Sequence, residues 1–195
     1  MLHQAGLGMS LYTRVGARKY LNADERDRFL AVAQDQAPLT RSFCLTLAYT
    51  GCRISEALAL RPRDVQLHSN VISIRTLKKR GKLMVREIPV PESLCAVLEE
   101  THDITGYTSD HDFPLWTWGR TTAWAQVKQV MHKAEVVGPH GTPKGLRHGF
   151  GIHAVQSGIP LNLIQRWLGH AAMSTTAIYA DAVGPEERAI AQRMW

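Results

Sequence analysis

Residues 142–181 constrain the fold of this chain more than any other segment. They read TPKGLRHGFGIHAVQSGIPLNLIQRWLGHAAMSTTAIYAD. The pattern predicts a helix over 144–157, a short apolar helix that begins near 161, and a further helical segment over 174–180. Gly169 should end the short helix, because glycine readily takes the left-handed conformation found at helix C-termini. Four polar residues follow one another along these segments: Lys144, Arg147, His170 and Tyr179.

The segments before this stretch predict more helices. Asn22, followed by Glu25 three residues later, has the pattern of a capping box and should open a helix that ends near residue 36. Residues 40–49 are apolar on nearly every side, so we expect that helix to be buried. A helix over 54–60 should end before Pro62, since proline disfavours helical backbone in the residue that precedes it.

A small antiparallel sheet is predicted in the middle of the chain. Residues 71–77 alternate apolar and polar side chains, as half-buried strands do. Residues 84–90 return as a second strand after the basic turn Lys78-Lys79-Arg80-Gly81-Lys82. Further helices are predicted over 91–101, 122–135 and 185–194. The predicted fold class is therefore α+β and mainly α-helical, with one domain over 21–195 that includes the C-terminal helix and an arm or linker remnant over 1–20.

The formal net charge of +6 is unevenly distributed along the chain. Residues 51–90 carry nine basic and three acidic side chains, whereas residues 91–120 carry one basic and six acidic ones. A cation-rich block suggests a surface that binds a polyanion. A solvated basic hairpin explains the same charges equally well, so charge alone does not identify the function.

Composition argues against membrane and secreted classes of protein. No apolar run approaches the ~18 residues that a membrane span needs, and the N-terminus lacks the apolar region of a secretory signal. The three cysteines, Cys44, Cys52 and Cys95, have no CxxC spacing. They fit a reducing cytoplasm better than a disulfide framework or a zinc site, and we therefore expect a cytoplasmic protein.

Taken one at a time, the candidate site residues have ordinary structural explanations. Arg53 could bind a phosphate, but an ion pair with Glu56 three residues later explains it as well. Lys144 and Arg147 share one helical face, as many solvated basic pairs do. A histidine at a helix end and a half-buried tyrosine are common structural residues.

The order and spacing of four blocks nevertheless resemble the tyrosine recombinase (phage integrase) family. The blocks are TGCRISEAL, TPKGLRH, LGH and IY, and the resemblance extends over roughly 20–184. It implies the catalytic domain of that family, in which two arginines, a histidine and a tyrosine surround one DNA phosphate. Lys144 occupies a position where histidine is commonest in the family and lysine is an accepted variant.

The resemblance implies a role for each matching residue. Arg53, Arg147 and His170 would neutralise charge that grows on the nonbridging phosphate oxygens. Tyr179 would attack phosphorus and form a 3′-phosphotyrosyl bond, and a ring of cations would favour its phenolate form.

Proton transfer and the support of the site are assigned to other residues. The resemblance places the donor to the leaving 5′-oxygen in the hairpin turn, at Lys78 or its close rival Lys79, while Lys144 would also handle protons. Glu56 would support the site from behind, and His148 would serve packing or hydrogen bonding. This chemistry requires no metal and no cofactor. His148 and His153 are five residues apart, which is not the one-face spacing of a zinc-binding helix.

As a whole, the resemblance implies a site-specific recombinase of double-stranded DNA. The outcome could be integration, excision, inversion or resolution, and the enzyme would act as a homo-oligomer, a tetramer on paired DNA sites. Most family members carry a helical DNA-binding domain before the catalytic one, whereas at most 20 residues precede it here. The chain would then be a short member, a fragment or a decayed copy. Two alternatives stay open: a non-recombining DNA-binding or architectural protein on the same fold, and a type IB topoisomerase-like nicking-closing enzyme.

Overall fold

Helices make up most of the chain, and three short strands form one sheet. The computed structural model describes residues 10–77, 83–106, 113–181, 188 and 191–194. The helices are α1 (Ala23–Gln34), α2 (Pro38–Thr50), α3 (Ile54–Ala57), α4 (Glu92–His102), α5 (Arg120–Lys133), α6 (Pro143–Gln156), α7 (Leu161–Leu168) and α8 (Ser174–Ala177). The strands are β1 (Val65–Gln66), β2 (Val71–Leu77) and β3 (Leu83–Pro89). The predicted α+β, mainly helical fold class is confirmed. None of the described helices is long and apolar enough to cross a membrane.

The first two helices follow the local signals in the sequence. At the start of α1 the Asn22 side chain accepts a hydrogen bond from the Glu25 backbone N–H at 2.8 Å, and the Glu25 carboxylate accepts one from the Asn22 N–H at 3.0 Å. This reciprocal arrangement is the predicted capping box. Helix α2 is buried along most of its length, as its apolar composition predicts, and packs against α1, α4 and α6.

The predicted hairpin is confirmed, and the sheet has one strand more than predicted. Its order is β1-β2-β3 with antiparallel pairing throughout. The additional strand, β1, has only two residues, which are too few to produce an alternating pattern in the sequence. In β2 and β3 the buried face carries Ile72 and Ile74 opposite Ile88 and Arg86. An arginine therefore lies on the side of the sheet that faces the core.

Helix α6 lies between two groups of buried apolar residues. The larger group includes the inner face of the sheet, helix α2 and Leu146 of α6. The smaller group includes Tyr20, which precedes α1, Ile152 of α6 and Tyr179. Since both groups pack on α6, the polar residues of that helix are held where the two groups meet.

Two helices are shorter than predicted for the same physical reason. Helix α3 ends at Ala57 rather than near 60, because the N–H groups of Ala59 and Leu60 bind carbonyls three residues back, at 3.2 and 3.0 Å. Helix α8 ends at Ala177, and the next residues continue with bonds of the same kind. Such bonds form the tighter 3₁₀ turn that often ends a helix. The predicted C-terminal helix over 185–194 and the basic hairpin turn lie largely outside the described residues.

Candidate active site

Arg53 lies at the corner between α2 and α3. Gly51 ends α2 with a left-handed φ of 60°, and Arg53 is the extended residue that precedes α3. Its backbone N–H and its Nη1 both donate to the Glu56 carboxylate, at 2.8 and 2.9 Å. The ion pair expected from the spacing is therefore present. The side chain still has 46% of its surface exposed, so its guanidinium can also contact a ligand.

Glu56 is buried and binds a second arginine from the sheet. Arg86 Nη2 donates to Glu56 Oε2 at 2.6 Å, and the Thr76 hydroxyl donates to Oε1 at 2.7 Å. Burial alone raises the pKa of Glu56, but the hydrogen bonds and charge of Arg86 and the Arg53 N–H outweigh it and lower the pKa to about 2. The Glu56 carboxylate is therefore ionised at neutral pH, and it holds both the backbone N–H and the guanidinium of Arg53 in position.

Arg147 is a buried cation held by backbone carbonyls. Its Nη1 donates to Gly51 O and its Nη2 to Leu168 O, both at 2.7 Å, and the residue is only 7% exposed. Within the described part of the chain no carboxylate lies within ion-pair distance of it. Burial, and then the charge of Arg53, lower the pKa of Arg147 to about 10. Positive charge held in this way favours an anion nearby.

Lys144 lies in the first turn of the same helix, closer to solvent. Thr142 caps α6 by accepting a hydrogen bond from the Gly145 N–H at 3.1 Å, and Pro143 begins the helix. Lys144 is exposed, whereas Arg147 three residues later is buried. The two cations expected on one helical face therefore both line one groove, at different depths.

His170 follows the left-handed Gly169 that ends α7, as predicted. Its Nδ1 is 2.9 Å from the Thr176 hydroxyl of α8, and the residue is nearly buried. Burial, followed by the charges of Arg147 and Arg53, lowers the pKa of His170 to about 3. The imidazole is neutral at pH 7, and when Nδ1 accepts from Thr176 its Nε2 carries the hydrogen that can be donated to a ligand.

Tyr179 is fully buried behind these residues. Its ring stacks on His170 with a centroid distance of 6.1 Å, and its hydroxyl lies 3.2 Å from His148 Nδ1. Gly151 of α6 makes room for the ring, because a Cβ at that position would come within 2.6 Å of it. Burial raises the pKa of Tyr179 to about 12, although Arg147 and Arg53 act to lower it. The cations do favour the phenolate, as expected, but burial is the stronger effect.

One open groove brings most of the candidate residues together. Its volume is about 870 Å³. Arg53, Lys144, Arg147 and His170 line it together with His148, and α5 contributes Arg120 and Trp124 to its wall. Tyr179 is not among the lining residues. Two guanidinium groups, a lysine and a neutral histidine around one space can bind an anion and stabilise charge on its oxygens.

The remaining candidates lie in the turn between β2 and β3. The strand register pairs Leu77 with Leu83, and Lys78 and Lys79 fall between these two residues, outside the described part of the chain. Among the described residues, no group of three or more His, Cys, Asp and Glu side chains is placed to hold a metal ion.

Arg86 and Gly151 are two residues of the site that the sequence does not single out. Arg86 holds Glu56 from β3, and its Nε donates to Trp167 O at 2.6 Å, which links the sheet to the end of α7. A signal for it exists: Arg86 occupies an inward-facing position in a strand where Ile88 is also buried. Gly151 is the second, and only the tertiary contact with Tyr179 gives it a role.

Fold and groove together define a mainly helical protein with a groove of cationic side chains beside a buried tyrosine. Comparison with known proteins shows the family to which this fold belongs. The model of the phage integrase family matches residues 19–184, and the chain belongs to this family.

The proteins similar to this chain include recombinases and an integrase. The tyrosine recombinase XerC of Roseiflexus castenholzii is 36% identical over 148 residues, which cover 69% of this chain and 45% of that protein. A crystal structure of XerA recombinase superposes with a TM-score of 0.76 and 26% identity, covering 90% of this chain and 64% of that one. The Tn1549 transposon integrase in complex with a circular intermediate DNA has the same fold, with a TM-score of 0.66, 19% identity and coverage of 90% of this chain and 66% of that one. The chain spans about half the length of the curated relatives it matches.

Proposed function

We propose that this chain is the catalytic part of a site-specific DNA recombinase, which cleaves and rejoins DNA through a 3′-phosphotyrosyl intermediate. The observation that carries the proposal is Arg147, a buried guanidinium without a carboxylate partner among the described residues, beside Arg53 in an open groove. A backbone phosphate of DNA supplies the negative charge that this arrangement favours. Membership of the phage integrase family supports the same conclusion.

In this mechanism Arg53, Arg147 and His170 act on the nonbridging oxygens of the phosphate. Negative charge on these oxygens is stabilised most by donors that are already fixed in position. The Glu56 carboxylate holds the Arg53 guanidinium in position, and two backbone carbonyls hold the Arg147 guanidinium. Removal of a single donor of this kind typically slows chemistry by ~10²–10³-fold.

Bond making and bond breaking occur along one line through phosphorus. The Tyr179 oxygen forms a bond to phosphorus, the bond from phosphorus to the 5′-oxygen breaks, and the leaving oxygen takes a proton. Lys78 is our first candidate for that proton, with Lys79 as its rival and Lys144 as the exposed lysine of the groove. Rejoining of the DNA follows the same chemical steps in reverse order. The phosphotyrosyl bond preserves the phosphodiester energy, so the reaction needs no metal ion and no nucleotide.

Double-stranded DNA is the partner that fits the groove and its wall. On α5, Arg120 and Trp124 face the same groove as the catalytic candidates, and Lys128 lies over the Trp124 ring at 5.9 Å. Cations along a groove bind the phosphates on either side of a reacting one. The DNA complex of the Tn1549 transposon integrase, which shares the fold, supports this choice of partner.

Assembly and location stay predictions from the sequence. We expect several copies to act together, as a tetramer on paired DNA sites, and we expect the reaction to take place in the cytoplasm. Light scattering of the protein with and without paired sites measures the first of these. A complex that never exceeds one copy per site would contradict it.

The test of the proposal is a covalent adduct between protein and DNA. The substrate is duplex DNA from the genomic sequence that flanks the gene, nicked so that the cleaved strand cannot rejoin. The adduct is detected as a band that survives denaturation. The Tyr179→Phe variant should bind DNA and form no adduct. Tyr12→Phe is the matched control, because Tyr12 has a partly buried hydroxyl, 3.3 Å from the Tyr20 hydroxyl and away from the groove.

The outcomes separate the proposal from its alternatives. Adduct formation by the wild type and Tyr12→Phe, but not by Tyr179→Phe, supports it. An adduct that persists in Tyr179→Phe refutes the assignment of the nucleophile. DNA binding without any adduct favours a non-recombining binder on the same fold. Relaxation of supercoiled plasmid without exchange between paired sites favours the topoisomerase-like alternative.

A further inference from the structure

His148 lies between the buried tyrosine and the open groove. It lines the groove while being only 4% exposed, and Tyr179 behind it does not reach the groove. Its Nδ1 is 3.2 Å from the Tyr179 hydroxyl, and the two ring centroids are 5.9 Å apart. The hydroxyl of the proposed nucleophile therefore has an imidazole as its hydrogen-bond partner.

Helix α6 fixes this pair through its own geometry. His148 directly follows Arg147, and Gly151 lies one turn further along the helix on the side covered by Tyr179. Residues three apart share a helical face, so one face of α6 supplies both the imidazole and the space for the phenol ring. A histidine that served packing alone would not require its nitrogen to meet the tyrosine oxygen.

The protonation states of His148 and Tyr179 determine which group donates the hydrogen bond between them and which accepts it. Burial, and then the charges of Lys144, Arg147 and Lys19, lower the pKa of His148 to about 4. The ring is neutral at pH 7 and has one nitrogen with a free lone pair. Tyr179 keeps its proton, because burial raises its pKa to about 12. The phenol is therefore the natural donor and Nδ1 the natural acceptor.

We propose that His148 is the group that takes the proton from Tyr179 as its oxygen attacks phosphorus. This inference rests on the proposed function. The O–H bond of Tyr179 breaks, the proton passes to Nδ1, the new bond to phosphorus forms, and the bond to the 5′-oxygen breaks with protonation by a separate acid. In rejoining, His148 returns the proton to the departing tyrosine oxygen.

The timing of the transfer follows from the groups around the imidazole. The charged or titratable neighbours of the His148 imidazole are Lys144 and Arg147 of α6, Lys19, His170 and Tyr179. The cations oppose a charged imidazole while the groove is empty. A phosphate between Arg53 and Arg147 offsets them, and the phenol becomes a stronger acid as its oxygen bonds to phosphorus. The proton therefore moves only during attack, when DNA is in place.

The first experiment compares two histidines of the same helix. In His148→Asn the amide oxygen keeps a hydrogen-bond acceptor near the position of Nδ1 but cannot take a proton. We expect normal folding and DNA affinity, with adduct formation slower by on the order of 10²-fold or more. His153→Asn is the matched control, because His153 lies on the same helix outside the groove and should leave the rate unchanged. Wild-type rates in His148→Asn would overturn the inference.

A second measurement distinguishes proton transfer from positioning. Tyr179 is replaced at that position alone by 3-fluorotyrosine, whose more acidic phenol depends less on a base. The rate defect of His148→Asn should shrink severalfold with the fluorinated nucleophile, whereas an equal defect with both nucleophiles would overturn the inference. A DNA substrate with sulfur in place of the bridging 5′-oxygen should not rescue His148→Asn, since it relieves only the need for an acid; full rescue by it would also overturn the inference.

Different experimental results would refute the role of His148 and the proposed function. If the wild type forms an adduct that Tyr179→Phe abolishes, while His148→Asn reacts normally, only the role of His148 is refuted. If the wild type forms no adduct, both are refuted. Should His148→Asn not fold, His148→Gln and the pH dependence of the wild type take its place. Cleavage by the wild type must then fall at acidic pH as His148 becomes protonated in the DNA complex, and a flat profile refutes the inference.

Discussion

Replacement of Glu56 by glutamine tests how the groove is held together. The carboxylate joins Arg53 of the α3 corner to Arg86 of β3, and Arg86 is almost completely buried. Glu56→Gln keeps the size of the side chain but removes the charge that compensates Arg86. Removal of one partner of a buried ion pair typically costs ~3–5 kcal/mol of stability.

The pKa of Glu56 leads to a similar magnitude. It falls from an ordinary 4.5 to about 2 in the folded protein, and one pH unit of difference corresponds to ~1.4 kcal/mol, so the charged form stabilises the fold by roughly 3 kcal/mol. Because the folded pKa is the lower one, this stabilisation is present above pH 4.5 and is lost as the pH falls toward 2. Roughly 2 kcal/mol of it should be gone by pH 3.

The assay is urea unfolding at pH 7 and at pH 3. At pH 7 Glu56→Gln should lower the free energy of unfolding by ~3 kcal/mol, and the melting temperature by ~6–12 °C. The gap to the wild type should narrow at pH 3. Glu87→Gln, on the exposed side of β3, removes the same charge and should stay within ~0.5 kcal/mol of the wild type. A gap below ~1 kcal/mol at pH 7, or one that does not narrow in acid, would refute the reasoning.

Three further predictions concern the chemistry of the groove. Gly151→Ala should push the Tyr179 ring out of its pocket, because the new Cβ would lie 2.6 Å from it. With 3-fluorotyrosine at position 179 alone, the ¹⁹F signal of the variant should shift toward that of a solvent-exposed ring, and an unchanged signal would contradict the packing. Arg147→Lys keeps the charge, but the lysine ammonium cannot reach both Gly51 O and Leu168 O as the planar guanidinium does. The rate of cleavage should therefore fall by ~10²–10³-fold with a much smaller loss of DNA affinity. Equal losses of rate and affinity would indicate a simple DNA contact. Lys78→Ala should be rescued by a sulfur-bridged 5′ substrate, because a thiolate leaves without a proton; rescue of Lys79→Ala alone would move the acid role by one residue.

Local parts of the fold were predictable because local rules determine them. The capping box at Asn22, the strand alternation of the hairpin and the left-handed Gly169 all depend on residues within one turn or one pair of strands. The ion pair between Arg53 and Glu56 belongs to the same class, since the two are three residues apart. Long-range partners leave no such pattern: Arg86 meets Glu56 across thirty residues of chain.

The state of Tyr179 could not be deduced from its neighbours in sequence. Cations near the site predict a more acidic phenol, and Arg147 and Arg53 do act in that direction. Burial by α6 and His170 acts in the opposite direction and is stronger, and burial is a property of the packed domain. The contact between His148 and Tyr179 is also tertiary, because the two residues are 31 positions apart.

The way Arg147 is anchored determines which substitutions the site can tolerate. Its two partners are main-chain oxygens, of Gly51 and Leu168, which every amino acid possesses. The constraint therefore falls on the path of the backbone, and that path turns through left-handed glycines at Gly51 and Gly169. Any side chain at Gly51 would also collide with Phe150, 2.5 Å from the position of a Cβ. The position of the Arg147 guanidinium therefore depends on two residues that have no side chain to contact a ligand.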